Sequence, residues 1–433
     1  MLETPKAVED HVRRTVASTP ITDIHTHLFP PSHGQLLLWG ADELLTYHYL
    51  VAELFTIAPR ALTIEKFWAL PKPAQADLIW EHVFQRHGAL SEAARGVLTT
   101  FNRLGLDTGR RDLPGIRKWF AGQKAQTYLP KVFELANVNY AVMTNNPFLE
   151  VEAGFLDQEL PCPDQLKTAL RIDSLLVNWK AAAAAMKKAG YKVRLNARPS
   201  RFDFAPARKF LADWTKKLKP QYFAASLPPD FAYPYRNLVG QFLEKGVITT
   251  EPNVAAQVLD EVVLPAAIEA GVPFAMMIGV RKAVNPPLGD GGDGVGACDL
   301  TSVMHLCQKH PQAKFLVTVL SRVNQHELAV LARKFGNLHV FGCWWFCNNP
   351  SIIREIIQMR LELLGATFTA QHSDARVLDQ VIYKWAHTRK IAADVLSEKY
   401  AGLFETGWRP TEAEIARDVR ALFGGAYEEF LGK

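Results

Sequence analysis

The feature that most limits how this chain can fold is a regular alternation of short apolar runs with amphipathic, glycine-terminated segments. Strand-like runs are expected at Ile21 to His27, Val138 to Thr144, Thr168 to Ile172, Tyr222 to Leu227, Phe274 to Val280, Phe315 to Leu320, His339 to Trp345 and Ala366 to His372. Helical patterns separate most of them: Asp173 to Lys188 before Gly190, Asn253 to Ala270 before Gly271, Asn324 to Lys334 before Gly336, and Ser351 to Leu364 before Gly365. Glycine just past a helix takes the left-handed conformation that ends it. Eight alternating units argue for a parallel sheet closed on itself rather than an open one. The expected fold is α/β, a distorted (β/α)8, TIM-like barrel.

At 433 residues, 48% of them hydrophobic, the chain can build one large barrel with insertions. A leading helix is expected over residues 1–20, with Val8, Val12 and Val16 on one face. Pro30-Pro31-Ser32-His33-Gly34 then breaks the chain, and residues 42–137 read as a large helical insertion after the first strand. There Asp42 is placed to cap a helix carrying Leu44, His48, Val51 and Phe55, with further helices near 74–87, 91–104 and 127–137. From Ala375 onward the pattern is helical again, with a capping box at Thr411 and Glu414, and these helices should pack on the barrel. No linker divides the chain, so residues 1–433 are expected to form a single domain.

The first run ends in His25 and His27. Side chains two apart on a strand share a face, so the pair forms a two-imidazole clamp. Neutral imidazole suits zinc, iron, nickel or copper, whereas magnesium and calcium prefer oxygen. The eighth run ends Gln371-His372-Ser373-Asp374-Ala375-Arg376. In a closed barrel the first and eighth strands are neighbours, so Asp374 can complete the clamp and leave positions open for water or substrate. A helix N-cap is the alternative for Asp374, and the adjacent histidines favour the metal.

Active sites of such barrels lie where the strands end. The other polar or large residues at those tips are Asn145, Arg171, Met277, Arg322, Trp345 and Arg376. A guanidinium is always charged and its fork matches a carboxylate, so Arg171, Arg322 and Arg376 in one mouth would describe a pocket for an acidic substrate. Surface ion pairing is the alternative, with most force for Arg322. His48 and Tyr49 can donate to a developing oxyanion or move a proton; on the residues alone, core packing accounts for them. Gly289 to Gly296 has neither phosphate-loop nor EF-hand spacing and reads as a solvent-exposed connection, with a lid over the mouth as the alternative.

Composition excludes other classes. A formal charge of +5 is spread without a basic stripe or arm, which argues against nucleic-acid binding. Five dispersed cysteines fit reduced thiols better than a disulfide framework. The polar start and the lack of a long apolar run argue against a secretory signal or a membrane span, so a cytoplasmic location is expected.

Taken together, Asp23-Ile24-His25-Thr26-His27-Leu28, His48-Tyr49, Arg171, Trp344-Trp345-Phe346 and Ser373-Asp374-Ala375-Arg376 resemble the uronate isomerase (glucuronate isomerase) family, a branch of the amidohydrolase superfamily. The resemblance spans essentially the whole chain. It implies interconversion of hexuronate aldoses and ketoses, a small-molecule hexuronate substrate, and one divalent metal ion, zinc or else manganese. By this resemblance His25, His27 and Asp374 hold the metal, and His48, Tyr49, Arg171, Trp345 and Arg376 form the substrate shell. Many members carry a histidine near the end of the fifth strand where this chain has Met276-Met277-Ile278-Gly279; methionine is a poor ligand for a hard divalent ion, so three protein ligands are expected.

The expected chemistry is proton transfer through a cis-enediolate, with Asp374 or a water on the metal as base, Tyr49 or His48 as donor, and Arg171, Arg322 or Arg376 on the substrate carboxylate. A metal-dependent hydrolase of a sugar lactone or ester is one alternative, and a sugar-acid-binding barrel without turnover is another. Assembly into a homo-oligomer is compatible with the sequence.

Overall fold

Residues 1–158, 160–234 and 253–432 are described in a computed structural model. Seven strands form one sheet in sequence order: Ile21–Thr26, Val138–Asn145, Leu166–Arg171, Phe223–Leu227, Phe274–Ile278, Phe315–Val319 and Leu338–Val340. Every pairing between them is parallel. The fifth and sixth are buried along their whole length, as largely apolar runs covered on both faces should be, and the first is buried as fully although it carries Thr22, Asp23, His25 and Thr26.

The eighth run does not become a regular strand. Thr369 makes one parallel bridge to Phe341, and the Thr369 N–H donates to Val340 O at 3.1 Å while the Gly342 N–H donates to Thr369 O at 2.9 Å. Further on, the Asp374 N–H donates to His25 O at 3.1 Å and the His27 N–H to Ala375 O at 2.8 Å. The segment thus bridges the seventh and first strands with isolated hydrogen bonds, which is the distortion of the barrel. The seventh strand is also shorter than the run to Trp345 suggests. Gly342 at φ 65° and Trp345 at φ 43° take the backbone out of the extended region.

The segment after the first strand is helical, but the helix expected from Asp42 is two. Ala41–Leu45 stops at Thr46, whose hydroxyl donates to Asp42 O at 2.6 Å, and His48–Ile57 starts afresh. Asp42 is not the cap; Gly40 holds that position, and the Asp42 carboxylate accepts from Arg117 at 2.7 Å. This break turns Tyr47, His48 and Tyr49 toward the barrel mouth. Similarly, Asp173 to Lys188 divides at Asn178, whose side chain caps Trp179–Lys188. Arg201–Leu218 is a further helix between the third and fourth strands, begun by a Ser200/Asp203 capping box, and Pro206 near its start disguises it in the sequence.

The leading helix, Pro5–Ser18, buries Val8, Val12 and Val16 as expected, and Arg13 pairs with Asp394 of the long helix Gln380–Glu405 at 2.9 Å. The Thr411/Glu414 capping box is present. Among the described residues no helix is long and apolar enough to cross a membrane.

Gly342 lies where the seventh strand ends against the eighth segment, and a Cβ there would lie 1.8 Å from His372 Cδ2. Gly342→Ala is expected to destabilise the protein by about 1–3 kcal/mol through overpacking and left-handed strain. Urea unfolding of the two proteins checks this; equal midpoints and slopes would contradict it.

Candidate active site

Strand alternation places His25 and His27 on one face, and the hydrogen bonds to 374–375 bring the aspartate to them. The Asp374 Oδ1 atom lies 3.5 Å from His25 Nε2 and 3.3 Å from His27 Nε2. One ligand atom from each of the three residues falls within 4.8 Å of the others. The imidazoles meet edge to face, with centroids 5.2 Å apart.

Both rings are held in one tautomer by hydroxyl groups. The Tyr222 hydroxyl donates to Ile24 O at 2.7 Å and lies 3.2 Å from His25 Nδ1. The Thr144 hydroxyl donates to Thr26 O at 3.1 Å and lies 2.8 Å from His27 Nδ1. Each hydroxyl has one proton, already directed to a carbonyl, so the arrangement that satisfies all partners has both Nδ1–H groups donating. Both Nε2 lone pairs then face Asp374. His25 Nε2 and Asp374 Oδ1 are buried without a hydrogen-bond partner among the described residues. Two imidazole nitrogens and a carboxylate oxygen converging on one point fit a divalent cation, and the pinned imidazoles are the usual support of such a ligand.

The turn that carries Asp374 is held from beneath. Asp374 has φ 52°, a left-handed conformation that needs surrounding support. Asp23 supplies it: its carboxylate accepts from the Ser373 N–H at 2.9 Å and from Trp385 Nε1 at 2.8 Å. Burial pushes the Asp23 carboxyl up to about 6. Asp23 therefore positions Asp374 and does not itself join the cluster.

Electrostatics match this arrangement. Burial works against charge on Asp374, yet His27, His25 and His372 outweigh it and hold the carboxyl well below the usual carboxylate range. Burial, reinforced by His27 and His372, drives the His25 pKa far down, so the ring is neutral and able to ligate. Burial likewise pushes His48 and His372 down to about 4. It raises Tyr49 well above the ordinary phenol value, so Tyr49 keeps its proton and can only donate or accept as a phenol.

A cleft of about 580 Å³ opens over the cluster and is lined by His27, Asp374, His48, Tyr49, Arg171, Trp345 and Arg376. His48 stacks between Tyr49 and Trp345, at centroid distances of 4.5 Å and 5.3 Å. Arg171 pairs with Asp173 at 2.5 Å, and that carboxylate also accepts the Ser226 N–H. Arg376 donates to the carbonyls of Leu36 at 2.8 Å and His27 at 3.4 Å. Met277 lines the same cleft.

Arg322 does not join them. Its side chain is 60% exposed and pairs with Glu355 at 2.8 Å, away from the cleft. The 3-10 turn Arg322–Asn324 just past the sixth strand carries it there. The glycine-rich stretch is also not a free connection: Gly289 and Asp290 line the cleft, and a Cβ on Gly291 would lie 2.9 Å from His48 O. Sequence reasoning missed Thr144, Tyr222, Glu152 and Lys384. The Lys384 ammonium is buried, without a hydrogen-bond partner among the described residues, 5.7 Å from the Tyr49 ring centre. Polar residues at strand ends were the signal for Thr144; for the others partners come from distant segments, and no local pattern marks them.

Fold and site define a class: a parallel α/β barrel with a candidate metal cluster at its mouth, beside helices that follow the first strand. No protein-family model and no curated protein matches the sequence. Among solved structures, the uronate isomerase of Bacillus halodurans C-125 is 44% identical, with a TM-score of 0.93, covering 100% of this chain and 98% of its own. The uronate isomerase of Thermotoga maritima is 15% identical, TM-score 0.76, over 98% of this chain and 97% of that one. The glucuronate isomerase of Caulobacter crescentus is 14% identical, TM-score 0.75, over 99% and 94%. The two distant structures share the fold, and the first shows the family. The chain belongs to the uronate isomerase family.

Removing either hydroxyl that pins an imidazole should weaken metal binding without removing a ligand. Tyr222→Phe and Thr144→Val are each expected to reduce affinity about 10- to 100-fold. Competition with a metal-binding dye measures it, and unchanged affinity in both would contradict the tautomer assignment.

Stability should also respond to pH. His48 and His372, at about 4 in the fold, resist protons that the unfolded chain takes up near its ordinary 6.5. Asp23 and Asp379, pushed up to about 6 by burial, act oppositely, because the folded state takes up their protons first. Between pH 7 and 5 each histidine costs about 2 kcal/mol and each aspartate contributes about 1 kcal/mol. The histidines win, and His25 adds in their direction. Metal-free protein is expected to be less stable at pH 5 than at pH 7 by at least about 1 kcal/mol. Urea unfolding with chelator present tests the sign.

Proposed function

We propose that the protein is a uronate isomerase that interconverts D-glucuronate with D-fructuronate and D-galacturonate with D-tagaturonate. The observation that carries this reading is 44% identity across the full length of a uronate isomerase. It is supported by a three-ligand cluster beneath a cleft with charged, hydroxyl-bearing and aromatic walls. His25, His27 and Asp374 would hold one divalent ion, zinc or else manganese, which when bound supplies Lewis acidity toward the carbonyl and neighbouring hydroxyl oxygens.

The chain's own residues divide the remaining work. Asp374, ionised and at the cleft floor, is the candidate base that moves a proton between C2 and C1 through a cis-enediolate. Tyr49 keeps its proton and donates to the oxygen that gains negative charge, and neutral His48 stacks behind it. Trp345 forms an aromatic wall and excludes water. Arg171 is already paired with Asp173, whereas no described carboxylate lies in ion-pair contact with Arg376. Arg376 is therefore the guanidinium left to grip the substrate carboxylate, with Arg171 shaping the opposite wall. The four buried cysteines carry no disulfide, which suits a reducing compartment, and the cytoplasm is the location proposed.

A coupled assay on both uronates, before and after chelation, tests the assignment. Turnover should vanish on metal removal and return with zinc or manganese. Asp374→Asn should lower kcat by about 100-fold or more, and Arg376→Lys should raise KM because a point charge cannot reproduce the fork. Solvent deuterium should enter the product. Full activity of Asp374→Asn would remove that carboxylate from the chemistry.

A further inference from the structure

The cleft contains four acidic side chains, and their partners separate them. Glu43 holds Lys72 at 2.6 Å, and Asp374 belongs to the ligand cluster. Asp290 is exposed at the rim, on the glycine-rich turn. Glu152 is the remaining one, half-buried on the helix Glu150–Leu156 that follows the second strand. Its Oε2 accepts the Asn146 N–H at 2.8 Å, while the Asn146 side chain accepts the Phe148 N–H at 3.0 Å. The strand-end turn therefore latches the carboxylate in place over the cleft. Among the described residues its other oxygen has no hydrogen-bond partner and no cation lies in ion-pair contact with it.

The cationic side chains that act on Glu152 are Arg171 and Arg376, and both line the same cleft. Such surroundings repel a second metal ion, and the carboxylate itself repels the acid group of a substrate. What a fixed, half-buried acceptor in this place can take is a hydroxyl donor. Glu152 lines the same cleft as His27 and Asp374 of the candidate metal cluster and as Arg376, the arginine assigned to the substrate carboxylate. Resting on the isomerase reading, an open-chain uronate with its ends at those two groups leaves its mid-chain hydroxyls to the remaining lining of the cleft, of which Glu152 is the fixed acceptor.

We propose that Glu152 is a specificity-determining residue that accepts a hydrogen bond from a mid-chain hydroxyl of the uronate. D-glucuronate and D-galacturonate differ only in configuration at C4, so an acceptor held at one place in the middle of the chain favours one of them. Glu152 takes no part in proton transfer and does not touch the metal.

The experiment compares kcat and KM for D-glucuronate and D-galacturonate in the metal-loaded wild type, Glu152→Ala and Glu152→Gln. The glutamine keeps the volume, but the Asn146 N–H draws its carbonyl oxygen and leaves the amino group toward the cleft, turning an acceptor into a donor. Both variants should raise KM for the preferred uronate and change the ratio of kcat/KM between the two by about 10-fold or more, with metal content unchanged. A ratio within about 2-fold of wild type in both variants would overturn the assignment, since that is small against the discrimination a lost polar contact produces. Loss of metal or of kcat for both uronates alike would also overturn it in favour of a structural role. Failure of the wild type to turn over either uronate would instead overturn the isomerase reading, and this assignment with it.

Discussion

Three lone pairs aimed at one point are what the rest of this molecule is arranged to maintain. Two imidazole nitrogens and a carboxylate oxygen within 4.8 Å of each other repel unless a cation stands between them. The barrel fixes each of these candidate ligands from behind. Tyr222 and Thr144 orient the rings, and Asp23 with Trp385 holds the turn that presents Asp374. Those supports come from the first, second and eighth segments, the lead-in to the fourth strand, and the long C-terminal helix. The mouth is therefore a property of barrel closure as a whole, and a change at any of these points reaches the ligands through a hydrogen bond.

The irregular eighth segment follows from the same requirement. A regular strand would alternate its side chains and continue the ladder on both edges. Here the chain pairs with the seventh strand at Thr369, accommodates the His372 ring against Gly342, and then takes a left-handed turn at Asp374 to meet His25 and His27. Backbone regularity is lost where a carboxylate must face inward. Such departures are expected at functional sites, where local strain is held by surrounding structure.

Cleft chemistry depends on how charges are already occupied. Arg171 and Arg322 each have a carboxylate partner, and their settings differ: one is enclosed in the mouth, the other is on the outer surface. Arg376 lies beside the candidate metal cluster, and among the described residues its guanidinium has carbonyl partners and an aromatic face for company. A guanidinium in that state is available to an incoming acid group. The inserted helices complete the wall because the chain breaks at Thr46 and Tyr47; a continuous helix from Asp42 would have kept the rotational phase that buries apolar positions in the core.

Much of this was legible in the residues alone. Strand period two put His25 and His27 on one face, apolar runs located seven of the eight barrel segments as strands, and glycine stops marked helix ends such as Gly271 and Gly365. These are local rules, set by backbone sterics and side-chain spacing over a few residues. What local rules could not decide were partners: that Arg322 would find Glu355 outside, that Tyr222 and Thr144 would fix the tautomers, that Lys384 would end buried beside Tyr49, and that Glu152 would face the arginines. Each of those depends on contacts between segments tens to hundreds of residues apart, and such contacts exist only once the barrel has closed.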